Sequence, residues 1–274
     1  MSARAETTLN YVVLGVFSVI ALYPLVGIAL VALGPQNQVG GGVLPIPHGI
    51  TFANFSEAWQ QGNLGPALLT SLIVSVVVVP LASALSILAG YAFGTMRLIG
   101  GTGLFYLFLA GLIMPYEAMI IPLYYDQRSV GLTGSYASLI LPEAALYLAF
   151  GIFWMRAFFR AVPRSLLEAA RIDGASSWTT LWRILLPFGR PAVLTMMVLF
   201  FVWSWNEFLL PLVMFAGSQR QTSTLALAAF QGQYTTDVSQ QTAAVLIVAG
   251  PSLLVYIFFQ RQFIRGMLSG AVKG

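Results

Sequence analysis

Glu168-Ala169-Ala170-Arg171-Ile172-Asp173-Gly174, followed by Ile184-Leu185-Leu186-Pro187, is a polar-flanked island in a chain of almost continuous apolar segments. Pro163 suits the first position of a helix, where its missing N–H is not needed. Arg164 to Asp173 holds good helix formers and no glycine. Gly174 can take the left-handed conformation that ends a helix. Ser176 or Ser177 can cap a second helix in which Trp178, Leu181, Trp182 and Leu185 recur at helical spacing, with Pro187 at its end. The expectation is a short helix, a glycine turn and a second short helix. Ala169 and Ala170 leave a face of little bulk, so another protein's backbone or a deep groove can approach closely. The alternative is an amphipathic hairpin resting on lipid headgroups with no partner.

Composition decides the solvent. Hydrophobic residues make up 58% of 274 and charged residues 8%, against roughly a quarter charged in soluble domains. One globular core of this size cannot hide that excess, so the solvent is a bilayer. About 20 residues cross a ~30 Å hydrocarbon core as a helix. Segments near 11–33, 67–93, 103–124, 137–159, 191–215 and 241–260 meet that length, which predicts an all-α polytopic membrane protein of six transmembrane helices. Pro80 is expected to kink the second. The first is read as a retained helix containing Pro24. Its apolar run exceeds that of a signal peptide, and Arg4 beside Glu6 is a weak charged flank. No 20–50-residue repeat is visible, and Gly40-Gly41-Gly42 reads as a loop within one domain, 1–274, whose core is about 67–260.

Basic residues orient the chain. With the N-terminus inside, Arg4, Arg97, Arg156, Arg160, Arg164, Arg171, Arg183, Arg190, Arg261, Arg265 and Lys273 fall at or near cytoplasmic ends, and Arg128 and Arg220 fall outside. Both termini and the 163–187 island are therefore expected in the cytoplasm.

The island resembles the EAA loop of bacterial ABC importer permeases, whose pattern is E-A-A, three residues, Gly, nine residues, then I-x-L-P. Glu168, Ala169, Ala170, Gly174, Ile184, Leu186 and Pro187 meet every fixed position, and Asp173 belongs to the same run. Asn54-Phe55, Ser56-Glu57-Ala58-Trp59, Asp173-Gly174-Ala175-Ser176, Trp205-Asn206-Glu207-Phe208 and the terminal Gly270-Ala271-Val272-Lys273-Gly274 look like the maltose-type carbohydrate permeases. More narrowly, they resemble the second of the two paired subunits. The resemblance implies that 163–187 is the cytoplasmic coupling loop to an ATPase. It further implies a heterodimer with a second homologous permease, two ABC ATPase subunits that bind ATP and Mg, and an extracytoplasmic sugar-binding protein. The membrane is then a bacterial or archaeal cytoplasmic membrane, and the cargo a mono- or oligosaccharide. The alternatives are a non-sugar ABC importer and an ion-coupled secondary transporter.

Residue chemistry narrows the classes. Phosphate-loop ATP hydrolysis needs a glycine loop ending in Lys and Ser or Thr. Lys273 is followed by Gly274 at the end of the chain, so no catalytic residue is assigned here. His48, in Pro47-His48-Gly49, reads as a loop residue. Without cysteine there is no thiolate site, and neither a metal nor a cofactor is assigned to this chain. The net charge of +4 is spent on topology rather than on nucleic acid. An ion-coupled carrier would use intramembrane acids such as Glu117, Glu143 or Glu207. Glu143, next to Pro142, reads as an outer-interface or helix-start carboxylate. Tyr116 and Glu117 follow a proline break that can expose polar backbone to a cavity. Asn206 and Glu207 lie in the fifth segment. Tyr116, Glu117, Asn206 and Glu207 are the candidate substrate path, with interhelical packing as the plainer role for Asn206 and Glu207. Tyr124, Tyr147, Trp203 and Trp205 can stack on sugar rings or pack between helices.

The chain has no cysteine, so single cysteines report topology directly. A cysteine at Gln61 is expected to react with an impermeant external reagent and one at Ser177 not to. The reverse labelling pattern would overturn the orientation.

Overall fold

The computed structural model describes residues 3–35, 46, 47, 49–230 and 237–271. Gly40-Gly41-Gly42, His48 and Val272-Lys273-Gly274 lie outside them. Every element among the described residues is helical: α1 (Ala3–Leu33), α2 (Ala53–Gln61), α3 (Leu64–Thr95), α4 (Gly101–Ile113), α5 (Tyr116–Ser129), α6 (Ala137–Ala161), α7 (Arg164–Ile172), α8 (Ser177–Thr179), a π turn (Thr180–Leu185), α9 (Leu186–Phe188), α10 (Arg190–Asn206), α11 (Leu209–Met214), α12 (Ser223–Ala226) with a 3₁₀ turn (Leu227–Phe230), and α13 (Val238–Ala271). This is the all-α polytopic architecture expected. Among the described residues four helices are long and apolar enough to cross a membrane, or up to six if each of two bent pairs counts as one span.

The structure departs from six straight helices at the two bent pairs, α4 with α5 and Ser177–Phe188 with α10 at 80°, and again at the end of α10. The expected third segment, 103–124, breaks at Met114-Pro115, and α4 and α5 meet there at 97°. A proline disfavours helical geometry in the residue before it, and Met114 is extended at ψ 127. The expected fifth segment, 191–215, ends as a helix at Asn206, and Glu207 takes ψ 128 before α11 begins. Neither Pro24 nor Pro80 ends its helix.

The chain divides into two compact units, Met1–Ala67 with Leu225–Gly250, and Leu68–Thr224 with Pro251–Gly274. In the first, Asn54 ties the start of α2 to the end of α1: its Nδ2 donates to the carbonyls of Ala32 and Gly34, both at 2.8 Å. Asp237 caps α13 by accepting from the N–H groups of Ser239 and Gln240 at 3.0 and 3.1 Å. Gln240 also donates to the Glu57 carboxylate at 2.6 Å.

In the second unit α3 and α6 cross with almost no side-chain volume between them. A Cβ on Gly90 would sit 2.5 Å from that of Met155, and one on Gly94 2.8 Å from that of Phe159. Small residues permit such approach in a membrane, where dispersion between close helices replaces the hydrophobic drive. The core around this crossing includes Val78, Ala82, Met155, Phe159, Met196 and Phe200.

Gly94→Leu is therefore expected to destabilise the detergent-solubilised protein by about 1–3 kcal/mol through overpacking. Gly103→Leu, where an added Cβ meets nothing within 4 Å, should be near neutral. Equal melting midpoints for the two variants would contradict this account of the crossing.

Candidate coupling loop and membrane polar site

The loop folds as its residues dictate locally. α6 ends at Ala161, Pro163 holds φ −56 and ψ 131, and α7 starts at Arg164. Pro163 thus stands one residue before the helix rather than inside it. At the far end Gly174 has φ +73. Its N–H donates to the Arg171 carbonyl at 3.1 Å, and that of Ala175 reaches the Ala170 carbonyl at 2.9 Å. Those two bonds form the Schellman closure, which needs a left-handed residue at Gly174. Ser176 then caps the second helix, its Oγ accepting from the Thr179 N–H at 3.2 Å.

The second helix runs through Pro187 and ends at Phe188, one residue beyond the expected stop. Proline lacks an N–H, and its ring clashes with the carbonyl four residues back in an α-helix. Here the turn just ahead is wider: the Leu186 N–H bonds the Leu181 carbonyl, five residues back. The π turn accommodates Pro187 without breaking the helix.

Burial sorts the loop residues. Leu181 and Leu185, about 1% and 0% exposed, root the second helix in the core. Leu166 and Leu167 pack against the same core from α7. Glu168, Ala169, Asp173, Gly174 and Pro187 are exposed, and Ile184 and Leu186 are half-buried. Ala170 differs from the expectation. At 4% exposed it is turned into its own chain, so its small side chain serves internal packing. Ala169 alone of the pair offers an open low-bulk surface.

The membrane acids are arranged around the helix breaks. The Tyr116 hydroxyl, at the start of α5, donates to Glu207 Oε1 at 2.7 Å. The same oxygen accepts from the Leu210 N–H at 3.0 Å, and Thr224 Oγ1 donates to the Glu207 carbonyl at 2.6 Å. Glu207 thus satisfies the first turn of α11 with its side chain, as an N-terminal capping group does. Asn206 is exposed, and its Nδ2 turns back to the Val202 carbonyl of its own helix at 2.7 Å. The pair divides because α10 ends between them: Asn206 is its last residue and Glu207 is extended at ψ 128. Glu117 is exposed and is not drawn into the Tyr116–Glu207 pair.

Glu143 is enclosed by the protein, which its place beside Pro142 did not announce. It is 1% exposed and lies in the second turn of α6. Tyr147, one turn on, points its hydroxyl toward Glu143 Oε2 at 3.5 Å. Ser204 of α10 also hydrogen-bonds the carboxyl, and Ser75 of α3 donates to Ser204 at 3.2 Å. Ser75, Glu143, Tyr147 and Ser204 tie three helices together. The four-residue spacing of Glu143 and Tyr147 was the available signal. Tyr147 also stacks on Phe200 at 5.4 Å, which places it in packing. Among the described residues no group of three or more His, Cys, Asp or Glu is placed to hold a metal ion.

Comparison with known proteins gives a family match over residues 82–268, described as binding-protein-dependent transport system inner membrane component. The chain is 29% identical to a diacetylchitobiose uptake system permease protein of Streptomyces coelicolor, over 99% of this chain and 91% of that one. It is 30% identical to a trehalose transport system permease protein of Mycobacterium tuberculosis, over 93% of each. Its fold matches a chain from the crystal structure of a bacterial ABC transporter involved in import of the acidic polysaccharide alginate. The TM-score is 0.77 at 22% identity, covering 96% of this chain and 98% of that one.

The Tyr116–Glu207 bond is expected to be energetically real. In a double-mutant cycle on thermal stability, Tyr116→Phe and Glu207→Ala should couple by about 0.5–1.5 kcal/mol or more, as for a buried hydrogen bond. Asn206→Ala should cost much less. Additive effects of the first two would contradict the assigned pair.

Proposed function

The chain belongs to the family of binding-protein-dependent transport system inner membrane components, and from that premise we propose that it is the permease subunit of a carbohydrate importer that couples to its ATPases through Glu168–Pro187. Family members are the membrane permeases of ABC importers, and ATP is hydrolysed in separate subunits. The observation that carries the coupling role is the complete E-A-A…G…I-x-L-P spacing on a hairpin that Gly174 closes and Leu181 and Leu185 anchor. A rigid, core-rooted hairpin can pass a push from outside into the helices around it.

A carbohydrate cargo is supported by the names of the relatives, which include permeases for diacetylchitobiose and trehalose. The assembly we propose pairs this chain with a second, homologous permease. Two ABC ATPases bind ATP and Mg, and an extracytoplasmic binding protein delivers the sugar. Both termini and the hairpin face the cytoplasm of a bacterial or archaeal cell, as the basic residues argue. Residues 1–274 act as one permease domain. Transport is by alternating access: closure of the ATPases moves the hairpin, and the helices reopen on the other side. Tyr116, Glu117, Asn206 and Glu207 contribute to the path, with Glu207 at the α10–α11 break supplying acceptors for a neutral polyhydroxylated solute.

Two substitutions test the coupling role. Ala169→Trp places bulk on the exposed small surface and is expected to abolish binding-protein-stimulated ATP hydrolysis with the permease still inserted. Gly174→Val forces a β-branched residue into the left-handed region, at a cost of about 1–3 kcal/mol, and should weaken the same coupling. Normal coupling in a well-expressed Ala169→Trp complex would overturn the docking assignment.

A further inference from the structure

The Ser177–Phe188 helix meets α10 at 80°. α10 is apolar from Val193 to Trp203 apart from Thr195 and packs along α6, one of the four clear membrane spans. If the 17-residue α10 crosses the bilayer beside α6, a helix at 80° to it lies nearly in the membrane plane, at the depth where α10 starts. What it exposes there is unusual for a loop. Trp178 and Trp182, one turn apart, hold their rings 5.4 Å from one another and are 62% and 44% exposed. Phe188 is exposed at its far end. Leu181 and Leu185 already fill the inward side, so the tryptophans have no place in this chain's own core.

Charge distinguishes this helix from its neighbour in the hairpin. α7 mixes Arg164 and Arg171 with Glu168, and Asp173 follows it. From Gly174 to Asn206 there is no acidic residue, while Arg183 and Arg190 are both exposed. Exposed indole rings beside unopposed guanidinium groups, on a helix lying in the plane of the bilayer, match a headgroup layer. Indoles sit at the boundary of acyl chain and headgroup with the N–H toward water. A guanidinium meets phosphate with two parallel donors.

We propose that the exposed side of Ser177–Phe188, with Arg190, is a binding surface for anionic phospholipid. Trp178, Trp182 and Phe188 seat at the acyl boundary, and Arg183 and Arg190 take the phosphates. The lipid holds the second helix of the hairpin at fixed depth and leaves α7 free to meet its partner. This inference rests on α10 crossing the bilayer, not on the coupling role, and the α7 substitutions above test that role separately.

The test uses the intact complex, ATPase subunits included, in nanodiscs of brominated phosphatidylcholine and of its equal mixture with brominated phosphatidylglycerol. Trp178 and Trp182 are read as the fluorescence difference between wild type and the Trp178→Phe/Trp182→Phe variant. Their signal is expected to be quenched with the ATPases bound. Arg183→Gln and Arg190→Gln are each expected to lower retention of phosphatidylglycerol through purification roughly fivefold. Quenching seen only after the ATPases are stripped would overturn the proposal and assign the surface to protein. Absence of quenching in both states would overturn it as well. Quenching with phosphatidylglycerol retention unchanged by the arginine substitutions would overturn the anionic-lipid assignment. Melting midpoints near wild type establish that the variants are folded.

Discussion

A membrane helix can stop only where the protein or a wet cavity takes its freed backbone groups, because lipid cannot. At the end of α10 the protein group is Glu207. Its carboxylate accepts from the first turn of α11 and from Tyr116, and its own carbonyl accepts from Thr224. The second break, at Met114-Pro115, delivers Tyr116 to the same place. The two interruptions are therefore one construction, with each supplying what the other lacks. A polar group sits there at low cost because its partners are built in, and the region is irregular where a transport path would need polar lining.

Behind that junction the helices are locked in two ways. The glycine crossing of α3 on α6 maximises dispersion by bringing backbones together. The Ser75–Ser204–Glu143–Tyr147 connection adds direction to a contact that close packing alone leaves free to slide. The hairpin is continuous with this bundle. α7 follows α6 after two residues, and Leu181 and Leu185 enter the same core. A displacement of the hairpin therefore has to move packed helices, not a slack loop.

Much of this was legible from residues. The hairpin's helix, turn and cap follow from Gly174, Ser176 and the absence of glycine in Arg164–Asp173, because capping and left-handed turns are settled within a few residues of chain. The breaks were harder. Met114-Pro115 carries a proline and was readable as an interruption. Asn206-Glu207 holds no proline itself, and its mark lies four residues on, where Pro211 cannot bond the Glu207 carbonyl. The burial of Glu143 was hidden for a related reason. Nearness to Pro142 and to a helix start says nothing about which helices cover that face.

The sequence by itself determined the solvent, the helical class, the hairpin and the family. Composition, apolar run length and local turn chemistry depend on neighbours in the chain and on the surrounding medium. Only the tertiary structure decided which member of each adjacent pair does the work. Glu207 bonds Tyr116 while Asn206 folds back on its own helix, and Ala169 is open while Ala170 is packed. Ala169 and Ala170 differ by ~100° as neighbours in α7, while Glu207 turns away because α10 ends at Asn206, and which direction is inside is set by elements distant in sequence.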